Sequence, residues 1–370
     1  MRIDGRGLLF VLATLASAAV AAAPPDAPHV ETGTLDGASY RIDVPANWNH
    51  EVIVFYHGYS IAPIVFRDGD KVSPMFDPML AEGYALIQSG YSATGWAVEQ
   101  GYADTETLRR AFVAQHGKPA RSYVMGMSMG GTLTALTIEQ RPEVYNGALS
   151  LCGALEPSDR LMQRDLALRA AFDLYFPDVL PPLGGTAAAH APTVLGERNI
   201  AAALASKPDA LQGLLRWYGA ADRSNLAPVI AFAGYEIAEL TQRAHGLPVG
   251  NADLIYVGSG DDAALNNGVK RYRAVPKAAR YLAKWYTPSG KLTRPLLALH
   301  DTGDPLVPAY SANEYALAVA RAGNGDNFVQ QYVEREGHCV FTPAEIGRAF
   351  DDLVEWSKSD KRPSSGKRPQ

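Results

Sequence analysis

The segment Gly126-Met127-Ser128-Met129-Gly130-Gly131 constrains this chain more than any other. It directly follows a short apolar run at residues 122–125 and directly precedes a helical pattern that ends at Gln140. A strand that turns straight into a helix brings the two backbones close at the turn, so the flanking positions must lack side chains. Glycines at 126, 130 and 131 meet that demand and leave Ser128 at the tip. The pattern G-x-S-x-G alone is weak, since roughly 0.16 matches arise by chance at this glycine and serine content. Its position between strand and helix is what gives it meaning.

The remaining text repeats the same alternation. Strand-length apolar runs fall at residues 30–34, 40–44, 51–56, 84–88, 148–151, 295–300 and 328–333. The turn Leu35-Asp36-Gly37 joins the first two as a hairpin. Helical patterns lie between the runs, at 105–116, 131–140, 311–322 and 343–356. In the first of these Asp104 is placed to cap the start, and Gly117 and Pro119 stop the end. Such alternation predicts an α/β protein whose mostly parallel central sheet is flanked by helices. It lapses between residues 153 and 291, where helix-like, aromatic-rich text carries few strand signals. That stretch is expected to be an inserted helical lid, dividing one core into residues 24–152 and 292–356. No repeat of 20–50 residues is present.

The ends of the chain speak to its destination. Arg2 and Arg6 precede an apolar, alanine-rich stretch that closes on small residues just before Pro24 and Pro25, so residues 1–23 read as a cleaved signal peptide. The mature protein is then expected to be periplasmic or secreted, without a membrane span. Residues 357–370 hold five basic groups against Asp360 and no apolar residue but proline, and are expected to be a disordered basic tail. The tail carries +4 and the leader +1 of a net charge of −5, leaving −10 on residues 24–356. An acidic body without a Lys/Arg cluster excludes nucleic acid as a natural partner. Two cysteines, neither in a CxxC pair, exclude a disulfide scaffold and a structural zinc site.

A serine hydroxyl becomes a nucleophile only when a base takes its proton and a carboxylate orients that base. Asp304 follows the run at 295–300, and His338 follows the run at 328–333, giving the order Ser128, Asp304, His338. Asp301 is the rival carboxylate. The Met129 N–H is one expected donor to an oxyanion, and Tyr59, in His57-Gly58-Tyr59 after the run at 51–56, is expected to supply the other. His57 then has a structural task. A decoy, Gly258-Ser259-Gly260 with Ala263, mimics a dinucleotide fingerprint, but Asp261 and Asp262 would face the pyrophosphate. No cofactor and no metal is expected.

These residues, His57-Gly58, the serine turn, Asp304 within Gly303-Asp304-Pro305-Leu306-Val307-Pro308, and His338, resemble the α/β-hydrolase family from about Val30 to Trp356. Within it the chain is similar to secreted bacterial serine esterases, with some likeness to feruloyl esterase and tannase-type enzymes through His338-Cys339. Those enzymes pair that cysteine with one immediately before the serine, where this chain has Met127. Cys152 ends the run at 148–151, so both cysteines belong at the same sheet edge, either as a disulfide or as two buried thiols. The resemblance implies a serine esterase acting on a small-molecule or polymer-linked ester. A prolyl-oligopeptidase-like peptidase, an acyltransferase and a non-catalytic binding protein of the same fold are the alternatives.

Overall fold

A computed structural model describes residues 28–183, 194–219, 226–285 and 287–368. The expected leader at 1–23, parts of the 153–291 insertion and the last two residues of the tail lie outside them. The chain opens with the hairpin β1 (His29–Leu35) and β2 (Ala38–Val44), turned by Asp36 and Gly37, both at positive φ. Next come β3 (Glu51–Tyr56), α1 (Asp77–Ala81), β4 (Ala85–Ser89), α2 (Val98–His116), β5 (Arg121–Met127), α3 (Met129–Gln140) and β6 (Gly147–Leu151). Among the described residues six helices follow: α4 (Ser158–Tyr175), α5 (Val194–Ser206), α6 (Pro208–Tyr218), α7 (Leu226–Arg243), α8 (Asp262–Gly268) and α9 (Pro276–Trp285). The alternation then resumes with β7 (Leu296–Gly303), α10 (Tyr310–Arg321), β8 (Phe328–Glu336), α11 (Pro343–Ser359) and β9 (Gly366–Lys367).

The strands form one sheet in the order β1-β2-β4-β3-β5-β6-β7-β8-β9. The β1–β2 and β2–β4 pairs are antiparallel and the others parallel. Side chains alternate across it. Val52, Val54, Tyr56, Val124 and Ala298 face a core shared with α2, α3 and α10. Ile53, Phe55, Tyr123, Met125 and Leu297 face the opposite core, closed by α1 and α11. This is the α/β-hydrolase fold, with the insertion carried between β6 and β7. Among the described residues the insertion has no strand. It owns an apolar core, including Phe172, Leu214 and Ile230, yet Leu161 and Leu166 of α4 and Ile237 and Leu240 of α7 join the main one. No helix of the described residues is long and apolar enough to cross a membrane.

Two expectations are corrected. Asp104 does not cap α2, which begins at Val98 and absorbs Gly101 because a Cβ there would lie 2.9 Å from Leu133 Cδ1. Close packing on α3 overrides the weak helix propensity of glycine. The Asp104 carboxylate accepts from the Ser92 N–H instead (2.7 Å). The tail is ordered through Arg368, although its composition lacks apolar residues. Its order comes from backbone and charge: β9 pairs with β8, and buried Arg368 binds Gln331 and Asp352 (2.8 Å to the latter).

The turn from β5 to α3 is packed on backbone alone. A Cβ at Gly130 would fall 2.0 Å from Tyr56 O and 2.8 Å from His57 O, neither of which can rotate away. Gly130→Ala is therefore expected to cost about 3 kcal/mol or more in urea denaturation, the upper end for overpacking. Gly325→Ala, with nothing within 4 Å of the new carbon, is expected to stay within about 0.5 kcal/mol.

Candidate active site

Ser128 sits between β5 and α3 with φ 57° and ψ −123°. A non-glycine residue at such φ is strained and persists only where its surroundings over-determine it. Here the Ser128 N–H donates to Leu151 O (3.0 Å), and Ser128 O accepts from the Gly131 N–H (2.9 Å). The strain turns the Ser128 hydroxyl out of the sheet edge toward two loops from later strands.

His338, in the loop after β8, reaches that hydroxyl: its Nε2 lies 2.8 Å from Ser128 Oγ. Its Nδ1 lies 2.6 Å from Oδ2 of Asp304, in the loop after β7. A carboxylate only accepts, so Nδ1 carries the proton and Nε2 the lone pair that can accept from the serine. The Asp304 side chain is fully buried, and its Oδ1 accepts from the N–H groups of Leu306 and Val307 (2.9 Å each). The structure thus brings Asp304, not Asp301, to the imidazole. Asp301 has another attachment, accepting from the Val340 N–H (3.0 Å), while burial pushes its carboxyl up to about 6.

Sequence reasoning assigned no role to His300, which lies 3.7 Å from Asp304 Oδ2 and 2.7 Å from Val307 O. Burial pushes its imidazole down, so it stands beside Asp304 as a neutral group that fixes the same loop. Its only signal in sequence was proximity to Asp304.

Cys152, directly after β6, is bonded to Cys339 with their Cα atoms 5.3 Å apart. The bond spans 187 residues and ties the residue after His338 to the strand beside β5. Among the described residues, the group Cys152, His338 and Cys339 alone has metal-ligand spacing, and its sulfurs are consumed by the bond.

The loop after β3 runs against the serine. A Cβ at Gly58 would lie 3.1 Å from Ser128 Cβ, so only glycine lets this loop pass. Met129 is the first residue of α3 and its N–H has no intrahelical acceptor. The Tyr59 N–H likewise makes no hydrogen bond among the described residues. His57 is stacked on Tyr91 at 3.7 Å, with Nδ1 2.6 Å from Gly58 O. Burial pushes its pKa down to about 4, which makes it a neutral brace for the loop.

A cavity of about 20 Å³, room for one or two waters, adjoins Ser128 and Met129. Tyr59, Trp96 and Phe232 line it together with two acids that sequence reasoning passed over, Asp165 of α4 and Glu236 of α7. A charge on the apolar face of α7, at Gly234-Tyr235-Glu236-Ile237-Ala238, was the signal available. The decoy loop binds itself: Asp262 accepts from the N–H groups of Gly258 (3.0 Å) and Ser259 (2.8 Å), taking the donors a phosphate would need.

The chain matches no protein-family model. It is 22% identical to an o-phthalyl amidase of Xanthobacter agilis over 422 aligned positions, which span 90% of this chain and 88% of that protein. Among solved structures it is similar to the rice cell wall degrading esterase LipA of Xanthomonas oryzae, with 14% identity over 87% of this chain and 86% of that one and a TM-score of 0.46. It is also similar to puromycin hydrolase, with 15% identity over 90% of this chain and a TM-score of 0.45. It spans only 39% of that longer chain. Mouse alpha/beta hydrolase domain-containing protein 10 is similar at 14% identity over 88% of this chain and 98% of its own, with a TM-score of 0.43.

Closing so long a loop restricts the unfolded chain, so replacing both Cys152 and Cys339 by serine is expected to cost about 2–4 kcal/mol in urea denaturation. Alkylation of the denatured protein should add no label before reduction and two labels after it. Labelling of both cysteines without reductant would contradict the bond.

Proposed function

We propose that this protein is an exported serine hydrolase that cleaves carboxylic esters through an acyl-enzyme on Ser128. The observation that carries the proposal is the unbroken run of hydrogen bonds from Ser128 Oγ through His338 to Asp304 at 2.8 and 2.6 Å, at a strained strand-to-helix turn. As Oγ attacks the carbonyl carbon, Nε2 of His338 takes its proton. Asp304, steadied by two backbone N–H groups, holds the ring in that tautomer and offsets the imidazolium charge. The N–H groups of Met129 and Tyr59 receive the oxyanion. His338 then protonates the leaving alcohol, and a water activated by the same nitrogen releases the acid from Ser128. Each step uses side chains, backbone and water. Export is supported by the leader at residues 1–23 and by the Cys152–Cys339 bond, which persists in oxidising compartments.

Amide cleavage is the second reading, favoured by similarity to a protein named o-phthalyl amidase along most of both chains. The same groups would serve, with His338 protonating a leaving amine. Matched ester and anilide substrates carrying one acyl group separate the two readings by their kcat/KM ratio.

The chain lacking residues 1–23 is expected to hydrolyse p-nitrophenyl acetate, and Ser128→Ala to lower kcat by about 10⁴ or more. Equal inertness of both proteins would count against turnover. Asp304→Asn is expected to lower kcat by about 10⁴ by disturbing the histidine tautomer, whereas Asp301→Asn should cost no more than about tenfold. The reverse ranking would move the orienting role to Asp301.

A further inference from the structure

We propose that Asp165 and Glu236, with the Tyr59 hydroxyl, form an acyl-side subsite for a short acyl group ending in a protonated amine, of glycyl size. The proposal rests on Ser128 being the acyl-accepting nucleophile. Asp165 and Glu236 project from two helices of the insertion, α4 and α7, and are 3% and 2% exposed. Burial pushes both carboxyls up, and the neighbouring Asp165 raises Glu236 further. Both line the cavity that holds Ser128. Among the described residues, Glu236 Oε2 and the Tyr59 hydroxyl oxygen are buried without a hydrogen-bond partner. Buried polar atoms left unpaired in a finished core are uncommon, and the two residues that carry them line the same cavity.

Charge identifies the missing group. The acids that line the cavity are Asp165 and Glu236, and Glu156 and Glu239, with the guanidiniums of Arg164 and Arg243, lie close behind them. Glu239 is matched by Arg243 at 2.6 Å and accepts from the Trp96 N–H at 3.0 Å. Arg164 is shared between Glu156 at 3.3 Å and Asp165 at 3.7 Å. Among the described residues Glu236 forms no ion pair. Burial and the neighbouring acid hold its carboxyl well above the usual carboxylate range, so in the empty cavity it keeps a proton in place of a cation. An ammonium supplies that charge and N–H donors for Glu236 Oε2 and the Tyr59 oxygen, and the Tyr59 and Phe232 rings, set edge to face with centroids 5.0 Å apart, line the same cavity. An anionic acyl group would meet only acids. With about 20 Å³ available beside the serine, one methylene and one ammonium fill the space.

Glycine ethyl ester and ethyl propionate are isosteres that differ by ammonium for methyl. Their kcat/KM values, measured at about pH 6.5, below the α-amino range of about 7.7–8.0, are each divided by the hydroxide-catalysed rate constant to remove intrinsic reactivity. The normalised ratio is expected to favour the glycine ester about tenfold or more, as for a site with buried polar groups to satisfy. Glu236→Gln is expected to erase most of that preference, chiefly through a higher KM for the glycine ester. A wild-type ratio of one or less, or a ratio that Glu236→Gln leaves unchanged, would overturn the proposal. Should that variant not fold, Asp165→Asn and the wild-type ratio decide it. If neither ester nor p-nitrophenyl acetate is turned over, the nucleophile reading itself falls and takes the subsite with it.

Discussion

The arrangement at the sheet edge depends on one strained residue. Ser128 is held at positive φ by a donor to β6 and an acceptor from Gly131, against a cost of about 1–3 kcal/mol for such a backbone. The turn closes only because Gly126, Gly130 and Gly131 bring backbone against backbone; at each of them a Cβ would sit within 2.5 Å of another atom. The same closeness sets the first N–H of α3 and the loop at 57–59 beside the hydroxyl. The catalytic geometry proposed for this site is therefore a consequence of how β3, β5 and α3 pack, more than of any single side chain.

The histidine must meet that fixed point from a different strand. Three restraints deliver it: the Asp304 carboxylate on its ring, the Asp301 carboxylate on the Val340 N–H two residues later, and the bond from Cys339 to Cys152. Cys152 follows the strand that also accepts the Ser128 N–H, so the loop of His338 is anchored to the frame of Ser128. Cys152 and Cys339 both adopt positive φ, at 44° and 59°. Three non-glycine residues at positive φ, Ser128, Cys152 and Cys339, thus meet at one edge of the sheet.

The framework was legible in the sequence where chemistry and geometry leave few choices. Strand-length runs marked eight of the nine strands, the hairpin β1–β2 through its turn at Asp36-Gly37 and the buried parallel strands through their apolar content. Ser128, Asp304 and His338 were legible through their order and their places after strands. What escaped notice depends on contacts distant in sequence. The start of α2 was hidden because Gly101 is tolerated through its packing on Leu133, which no local window contains. The tail looked disordered because composition reports apolar content, whereas β9 and Arg368 are held by a strand edge and two polar side chains. Asp165 and Glu236 are 71 residues apart and meet only when α4 and α7 pack.

The central claim is that His338 makes Ser128, alone among the serines, a nucleophile. Its most direct test is to treat the folded protein with a fluorophosphonate, then locate the adduct by peptide mapping. The account predicts one adduct, on the peptide carrying Ser128, and its loss in His338→Ala although the serine remains. An unlabelled protein, an adduct elsewhere, or labelling of Ser128 that survives removal of the imidazole would contradict it.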